Sequence, residues 1–332
     1  MKFKLTLTWT RTLLGGVGLI LFVYLILRIG VGAVLENVSR FGVWFAAILF
    51  VGACWLFFQA CAWTIIQNAY FQKVGFFRLF RIRIISDALN ILLPSASLGG
   101  DAARAYLIKG KVPLKEGIPG VLFDKTVEFV ASTIFLACGF LLGTIFIRMP
   151  EGLLAPTLIC LAITTAGLVL LIFFSIRGFY GIVLRISGVI PKVRRWVLNR
   201  EEQLRALDRN LQLLYARANL KTAAALGLHV LARLAGVVEV LIILRALGVS
   251  ADFVQAWFIS AVVIISNTIF FILPGQWGIT ESASMLVLKS LGHPAAIGLS
   301  LSIIRRIRKL AFVCLALVFF MSEKKGLPEN KE

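Results

Sequence analysis

The chain has 332 residues, of which 59% are hydrophobic and only 15% charged, and its 35 Lys and Arg against 16 Asp and Glu give a formal net charge of +19. This composition excludes a soluble domain and predicts a polytopic membrane protein, because about 20 consecutive apolar residues suffice for a helix to cross a bilayer. The apolar runs are continuous, whereas barrel strands alternate, so the predicted fold class is all-α.

Full membrane spans are expected at six places along the chain. They lie at Thr12–Ile29, Gly42–Ile66, Ile118–Ile147, Leu153–Ile176, Thr222–Leu244 and Ala295–Met321. The N-terminal residues lack the small-residue pattern of a cleavage site, so the first span is expected to be a signal anchor.

Two further apolar pieces, Ile84–Leu93 and Val254–Leu273, each run into a proline. As a helix the first is roughly 15 Å long, about half the hydrocarbon thickness, so we expect it to enter the membrane, turn and leave. The second is long enough to cross outright, which leaves both a span and a hairpin open there. Proline stops a helix and glycine permits a turn. The predicted turn residues are Pro94, Gly99, Gly100, Pro274, Gly275 and Gly278.

The two interrupted pieces match each other when the sequence is shifted by 180 residues without a gap. The shift pairs Leu93-Pro94 with Leu273-Pro274, Asp101 with Glu281, Lys109 with Lys289 and Lys125 with Arg305. Three predicted spans separate the copies, an odd number, so the copies would face opposite sides of the membrane. We therefore expect about six full spans plus two re-entrant or broken hairpins in an inverted 3+3 repeat, a plan that recurs in secondary transporters. Residues 1–150 would form the first membrane repeat and residues 151–322 the second.

The positive charge is unevenly distributed along the chain. Of the 35 basic residues, 24 fall in the N-terminus up to Arg11, in Lys73 to Lys115, in Arg177 to Lys221 and in the tail after Met321. This asymmetry follows the positive-inside rule and predicts a multi-pass protein of the cell (cytoplasmic) membrane with both termini cytoplasmic. The basic loops would meet anionic lipid, so we expect no nucleic-acid partner.

The long polar connection, residues 177–221, has leucines at helical spacing. They are Leu204, Leu207, Leu211 and Leu214. We expect an amphipathic helix lying on the cytoplasmic face of the membrane, with binding of a partner protein as the alternative. The tail, residues 323–332, is expected to be a disordered cytoplasmic segment.

Ionisable residues lie at the predicted turns and inside the predicted spans, where each charge is costly unless it is paired or hydrated. The candidates for a substrate path are Asp101, Asp124, Lys125, Glu128, Glu281, Arg305, Arg306, Arg308 and Lys309. Two alternatives stay open: Asp101 and Glu281 could cap restarted helices, and Asp124 and Glu128 could be solvated at the cytoplasmic interface.

The four basic residues from Arg305 to Lys309 lie about halfway along the last span. Snorkelling accommodates one such side chain better than four, and arginine suits phosphate through paired hydrogen bonds, so an anionic headgroup is the expected ligand. Arg233 and Glu239 in the fifth span are expected to form a structural pair or to snorkel separately. A central hydrated cavity would join the acidic residues of the first half to the basic residues of the second.

No cofactor, metal or catalytic residue is expected. The five cysteines lie inside apolar runs without a CxxC motif, and His229 and His293 have no ligand-like neighbours in the sequence. The sequence contains no P-loop, GxSxG or HExxH motif. We therefore predict a protein that is not an enzyme.

Four segments together resemble the paired signatures of the lysylphosphatidylglycerol synthase transmembrane-region family, also described as flippase-like. They are "LPSASLGGDAARAYLIKG", "VLFDKTVEF", "LPGQWGITESASMLVLKSLG" and "LSIIRRIRKL". The best-known member of that family is the multiple peptide resistance factor. In its full-length synthases a membrane domain of this type moves aminoacylated phosphatidylglycerol across the bilayer, and a separate soluble domain makes that lipid from aminoacyl-tRNA.

The resemblance assigns roles by position. Pro94, Gly100, Asp101 and Arg104 match the first signature, which adds Arg104 to the candidate substrate-binding residues, and Asp124 and Lys125 lie in the helix that follows. Pro274, Gly278, Glu281 and one of Arg305 or Arg306 match the second signature. Asp101 stands where glutamate is expected, which keeps the charge and shortens its reach.

The function that the resemblance implies is binding, and translocation between leaflets, of a phospholipid or of a lipid-linked anionic headgroup. The given sequence ends shortly after the last predicted span, so we expect no synthase domain. Two alternatives remain: an accessory membrane subunit that positions a separate lipid- or glycan-modifying enzyme through residues 177–221, and a lysylphosphatidylglycerol synthase-type transferase.

Overall fold

The computed structural model describes residues 41–92, 98–147, 154–178, 180, 184, 191–269 and 278–323. Every regular element in these ranges is an α-helix, which confirms the predicted all-α class for this part of the chain. In chain order the helices are α1 (Val43–Tyr70), α2 (Phe76–Leu92), α3 (Leu98–Leu107), α4 (Leu114–Phe146), α5 (Leu154–Arg177), α6 (Pro191–Leu198), α7 (Glu201–Ala216), α8 (Leu220–Ala246), α9 (Phe253–Ile269), α10 (Ile279–Ser290) and α11 (Ala295–Glu323).

Three of these helices, α1, α4 and α8, are long and apolar enough to cross a membrane. Shorter apolar stretches lie in α5, at Leu161–Phe173, and in α9, at Phe253–Thr268. Five of the predicted spans coincide with α1, α4, α5, α8 and α11 to within four residues at either end. The predicted first span, Thr12–Ile29, and most of the predicted tail lie outside the described residues.

The interior is built around α1 and α8, which pack against each other. The largest apolar core joins α1, α4, α8, α9, α10 and α11, with fully buried Ile48, Val240 and Phe258 among its members. Large apolar side chains such as Phe50, Leu141 and Ile159 are exposed on the outside of the helices. An apolar outer surface of this kind is what a lipid environment covers.

The first interrupted piece is longer than predicted. α2 begins at Phe76, eight residues before the predicted start at Ile84, because arginine is a good helix former and hydrophobicity alone misplaces the boundary. The stretch from Lys73 to Lys115 is consequently not a basic loop. Two of its arginines are inside the protein: Arg83 is 6% exposed and Arg104 0% exposed.

α2 and α3 form the first hairpin and touch closely. The Gly100 amide donates a hydrogen bond to Asn90 Oδ1 at 2.8 Å. A Cβ at Gly100 would lie 2.2 Å from the carbonyl oxygen of Ser86, so only glycine permits this approach. Gly99 and Gly100 therefore belong to the first turn of α3 and not to the break itself, which corrects their predicted role as turn residues. Pro94 lies outside the described residues.

α9 and α10 form the second hairpin. The Thr280 hydroxyl of α10 donates to Asn267 Oδ1 of α9 at 2.9 Å, which ties the two arms together. Gly278 is the N-cap of α10 with φ of 84°, a left-handed conformation that glycine adopts without strain. Pro274 and Gly275 lie outside the described residues.

The predicted amphipathic helix exists as α7, but its apolar face covers protein. Leu211 and Leu214 are buried against α4 in a cluster that includes Phe123 and Val127. The Asn210 side chain donates to the Lys115 carbonyl at 2.7 Å. That carbonyl needs an outside donor because Pro119, four residues later in α4, has no N–H to offer it. The expectation that this helix lies on the membrane surface is thus corrected to packing on α4.

Candidate functional site

All ten predicted substrate-binding residues lie in the described part of the chain, and nine of them fall into two groups. We call the first group, with the residues that bridge it, the first charge network: Asp101, Asp124, Glu128, Arg83, Arg104, Lys125 and Arg233. The second charge network consists of Glu239, Glu281, Arg305, Arg306 and Arg308. Lys309 and Asp87 lie between the two.

Asp124 of α4 is the centre of the first charge network and is fully buried. Arg104 Nη1 donates to its Oδ2 at 2.6 Å, and Arg104 Nη2 donates to Asp101 Oδ1 at 2.7 Å. Arg83 Nη1 lies 3.6 Å from the same Oδ2. His229 Nε2 of α8 lies 3.1 Å from Oδ1. The three contacts to Asp124 come from three other helices, so Asp124 is not a solvated interfacial group.

Glu128 lies one helical turn after Asp124 and is 7% exposed. Its carboxylate oxygens are 3.2 Å from Lys125 Nζ, 3.5 Å from Arg83 Nη2 and 3.5 Å from Arg233 Nη2. Lys125 also reaches Asp101, at 3.8 Å between Nζ and Oδ2. The two carboxylates that share one face of α4 thereby join α2, α3 and α8, and the alternative of a solvated Glu128 is excluded as well.

Several members of this region were missed from the sequence. They are Gln59, Trp63, Arg83, Ser132, His229 and Arg233. Arg83 was assigned to a basic loop and His229 to no role. A usable signal was present in α1, where Gln59 is a fully buried polar residue in an otherwise apolar span. Its Oε1 accepts a 2.7 Å hydrogen bond from Arg83 Nη2.

The second charge network joins α8, α10 and α11. Glu239 is 1% exposed and receives Arg308 Nε at 3.0 Å and Arg305 Nε at 3.4 Å. The expected pair between Arg233 and Glu239 does not form, because Arg233 turns to Glu128 and to Ser132, whose Oγ it reaches at 2.7 Å. The two residues are six apart on α8 and therefore point away from each other.

Glu281 has two partners at the start of α10. Its Oε2 accepts from the Gly278 amide at 2.9 Å, and its Oε1 accepts from Arg306 Nε of α11 at 2.5 Å. Glu281 is therefore a helix cap, one of the two roles left open, and it is also held to the helix that follows. Asp101 occupies the same kind of position at the start of α3, with Lys125 of α4 as its partner.

Asp87 of α2 lies between the two networks. It interacts electrostatically with Arg83 and Glu128 of the first, and with Arg308 of the second and Lys309. The described residues of this central region carry eight cationic side chains against six carboxylates: Arg83, Arg104, Lys125, Arg233, Arg305, Arg306, Arg308 and Lys309 against Asp87, Asp101, Asp124, Glu128, Glu239 and Glu281. The region has a formal excess of positive charge.

The clefts that the structure shows at helix ends lie elsewhere. One of about 730 Å³ is lined by the end of α1 and the start of α8, including Ile65, Asn68 and Lys221. A smaller one lies between α4 and α7. Neither is lined by predicted substrate-binding residues, so the central hydrated cavity stays a prediction. Within the described residues, no three His, Cys, Asp or Glu side chains come together in a way that could hold a metal ion.

Comparison with known proteins is informative at the level of the family. No curated protein and no solved structure matches the chain. A family model described as the lysylphosphatidylglycerol synthase TM region matches residues 10–316, a range that contains both charge networks and both hairpins. The chain therefore belongs to the lysylphosphatidylglycerol synthase TM region family of membrane proteins.

Proposed function

We propose that this protein binds a phospholipid or a lipid-linked molecule with an anionic headgroup and moves it between the leaflets of the cell membrane. The observation that carries the proposal is the concentration of buried, mutually paired charges between the helices, with more cations than carboxylates. Each charge placed at the centre of a bilayer costs about 2.5–3.5 kcal/mol on insertion scales. Such a concentration is expected where a charged substrate must pass.

The excess of positive charge favours an anionic ligand. Removing the counter-charge from a buried ion is strongly unfavourable, so the two surplus cations require a mobile anion or water. Guanidinium groups bind phosphate oxygens through paired hydrogen bonds, and six of the eight cations of the region are arginines. A phosphate or phosphodiester headgroup has the matching charge and geometry.

The two halves of the chain support a rocking mechanism. Adding 180 to the starts of α3 and α4 gives residues 278 and 294, one residue before the starts of α10 and α11. In each half a carboxylate in the first turn after the break meets a cation of the next long helix, Asp101 with Lys125 and Glu281 with Arg306. We propose that α1–α4 and α8–α11 are inverted copies that move against each other around the headgroup, as in transporters built from inverted repeats.

The ten predicted residues receive roles within this mechanism. Arg305, Arg306, Arg308 and Lys309 would bind the headgroup phosphate. Asp101 and Glu281 would each hold a cationic partner in place until the headgroup binds that cation and displaces the carboxylate. Asp124 and Glu128, with Arg104 and Lys125, would keep the first half closed between transport events.

Reconstitution into vesicles tests the proposal. Purified protein is inserted into liposomes with fluorescent phospholipids, or with a lipid-linked sugar, and the fraction of label that reaches the other leaflet is measured by adding a membrane-impermeant quencher. We expect translocation above that of protein-free vesicles for at least one anionic lipid. Equal rates with and without protein, for both lipid classes, would refute it.

A pair of variants links the activity to the site. Arg306→Gln removes a charged donor, and a hydrogen bond to a charged group is worth about 1.5–3 kcal/mol, so translocation should fall roughly tenfold or more. Arg205→Gln on α7 removes an exposed arginine that pairs with the exposed Glu201 and lies over the Tyr180 ring, outside both charge networks, and it should leave translocation unchanged. Equal losses in both variants would contradict a role for the second charge network.

Measurements in the same vesicles distinguish a transporter from the alternative, an accessory subunit that positions a separate enzyme. Substituting the exposed Arg205 and Arg209 of α7 together would weaken capture of a lipid-modifying enzyme while leaving the helix core intact. Lost partner capture together with unmeasurable lipid movement in the wild-type protein would favour the accessory role. Lipid labelling by the purified chain with aminoacyl-tRNA would instead indicate a transferase.

A further inference from the structure

His229 contacts the first charge network through Asp124, and the proposed function does not use it. Its ring is 1% exposed in the middle of α8. Nε2 lies 3.1 Å from Asp124 Oδ1. Because a carboxylate oxygen only accepts hydrogen bonds, Nε2 carries a hydrogen and donates it to Asp124. This contact fixes the tautomer of the neutral ring and leaves the lone pair on Nδ1.

Nδ1 is buried and has no hydrogen-bond partner among the described residues. A buried polar atom without a partner is rare and indicates a bound water, a bound ion or a functional role. Histidine is also the side chain type whose charge ordinarily changes between about pH 5 and pH 8. The geometry thus presents an unused proton-accepting atom inside a charged region.

The surroundings of His229 determine what a proton there would do. From α4, Asp124 contacts the ring and Glu128 acts on it through space. Arg83 of α2 and Arg104 of α3 hold the same Asp124 carboxylate, and Arg233 lies one turn further along α8 itself.

The other helices packed on α8 add little charge near the ring. α1 and α9 contain no Asp, Glu, Lys or Arg. α11 contributes Arg305 and Arg308, which pair with Glu239, ten residues after His229. A proton on Nδ1 would therefore enlarge an existing local excess of positive charge.

We propose that His229 Nδ1 binds a proton together with the anionic headgroup, so that the protein moves the headgroup and a proton as a pair. The inference rests on the proposed function and names its second substrate. Without the proton, the Nδ1 lone pair repels a headgroup oxygen. Without the headgroup, the imidazolium is a buried cation whose Nδ1–H has no acceptor. When both are present, as the headgroup passes the first charge network on its way between the leaflets, Nδ1–H donates to a headgroup oxygen and the two charges compensate.

Each ligand must therefore raise the affinity for the other by the same factor, since coupling between two binding events is reciprocal. The proton comes from water on the side where the headgroup enters and leaves with it on the other side. No bond of the lipid is made or broken. Asp124 keeps the ring oriented through Nε2 in both states.

The two histidines of the chain give a direct test by NMR. The chain contains only His229 and His293, so the variant His293→Gln leaves His229 as the single histidine, provided that the purification tag contains none. Protein labelled with ¹⁵N-histidine is titrated with pH in nanodiscs of phosphatidylcholine and in nanodiscs that also contain phosphatidylglycerol. We expect the half-protonation point of His229 to rise by about 0.7–2 pH units with the anionic lipid, which corresponds to a 5–150-fold coupling.

The variant that removes His229 instead of His293 controls for the negative surface potential of the anionic lipid. His229→Gln keeps an amide donor for Asp124 and leaves His293, at the turn before α11, as the single histidine. Surface potential would shift His293, and salt would reduce that shift. A shift of His229 that exceeds that of His293 at high salt supports the proposal. Equal shifts, or no titration of His229 in either lipid, would overturn it.

The pH dependence of transport supplies an independent test, because a histidine with only a structural role would not contribute to it. Translocation of an anionic lipid should rise as the pH falls from about 8 to about 5 in the wild-type protein and in His293→Gln, and it should be flat in His229→Gln. Transport with the same pH profile in all three proteins would refute proton coupling and leave the proposed function standing. Absence of transport in all three would refute the proposed function, and the NMR titration would still decide whether His229 binds a proton.

Discussion

The two charge networks are made of the same residue types but differ in how many helices meet at their most buried carboxylate. In the first, Asp124 is fully buried and meets side chains of α2, α3 and α8. In the second, Glu239 is 1% exposed and meets two arginines of α11, Arg305 and Arg308. Loss of Asp124 would therefore leave charges on more helices without a partner than loss of Glu239. We accordingly expect the first network to contribute more to stability than the second.

Asp124→Ala should have the largest effect on stability. It leaves Arg104 buried without its main counter-charge, and breaking a buried pair by removing one partner costs about 3–5 kcal/mol. Reversible unfolding in mixed micelles measures the loss. A loss below that of Glu281→Ala would contradict the assignment of the first network to stability.

Gly100→Ala should have the next largest effect. The added Cβ would lie 2.2 Å from the Ser86 carbonyl oxygen and 2.4 Å from Asn90 Oδ1, and overpacking of this kind costs about 1–3 kcal/mol. The control is Gly236→Ala in α8, where a Cβ meets nothing within 4 Å. That variant should be neutral or stabilised by up to about 1 kcal/mol, because alanine favours helix over glycine. Equal effects of the two variants would show that α2 and α3 do not touch at Gly100.

Glu281→Ala should have a smaller effect. It removes the side chain that accepts from the Gly278 amide and loses the pair with the partly exposed Arg306, and loss of a helix cap typically costs about 1 kcal/mol. The same unfolding experiment measures it. A loss as large as that of Asp124→Ala would mean that both networks serve stability equally.

Arg205→Gln should have the smallest effect of all. Its ion pair with Glu201 is exposed at both ends, with 58% and 42% of the two side chains accessible. Exposed pairs of this type contribute little to stability. We expect unfolding close to that of wild type, and a measurable loss would show that the contact of Arg205 with the Tyr180 ring, at 4.8 Å to the ring centroid, contributes to stability.

The helices could be predicted from hydrophobicity because the bilayer requires long apolar runs. The spans that became α1 and α8 were located to within four residues at either end. The remaining differences arise because hydrophobicity does not detect the polar residues that extend a helix. Arg83 shows the limit: in the sequence it is one of several basic residues, and only the packing of α2 on the rest of the bundle shows that it is buried.

The candidate residues could be named from the sequence because a charge inside a membrane has a high free-energy cost. The sequence could not show which of these side chains pair with each other. All ten candidates lie in or beside the two networks, yet Arg233 was expected to meet Glu239 and meets Glu128 instead. Sequence separation says which residues share a helix face, whereas partners on other helices depend on how those helices cross. His229 was dismissed for the same reason, since its neighbour Asp124 is 105 residues away in the chain.

The hydrogen bond from Asn210 to the Lys115 carbonyl has a consequence for how the protein is made. The two residues are 95 positions apart, so α4 leaves the ribosome and enters the membrane well before its donor is synthesised. Until then water must solvate that carbonyl, which holds the beginning of α4 at the edge of the lipid and delays its final depth. We therefore expect insertion of this helix to be completed only when α7, which is synthesised after α5, folds back upon it.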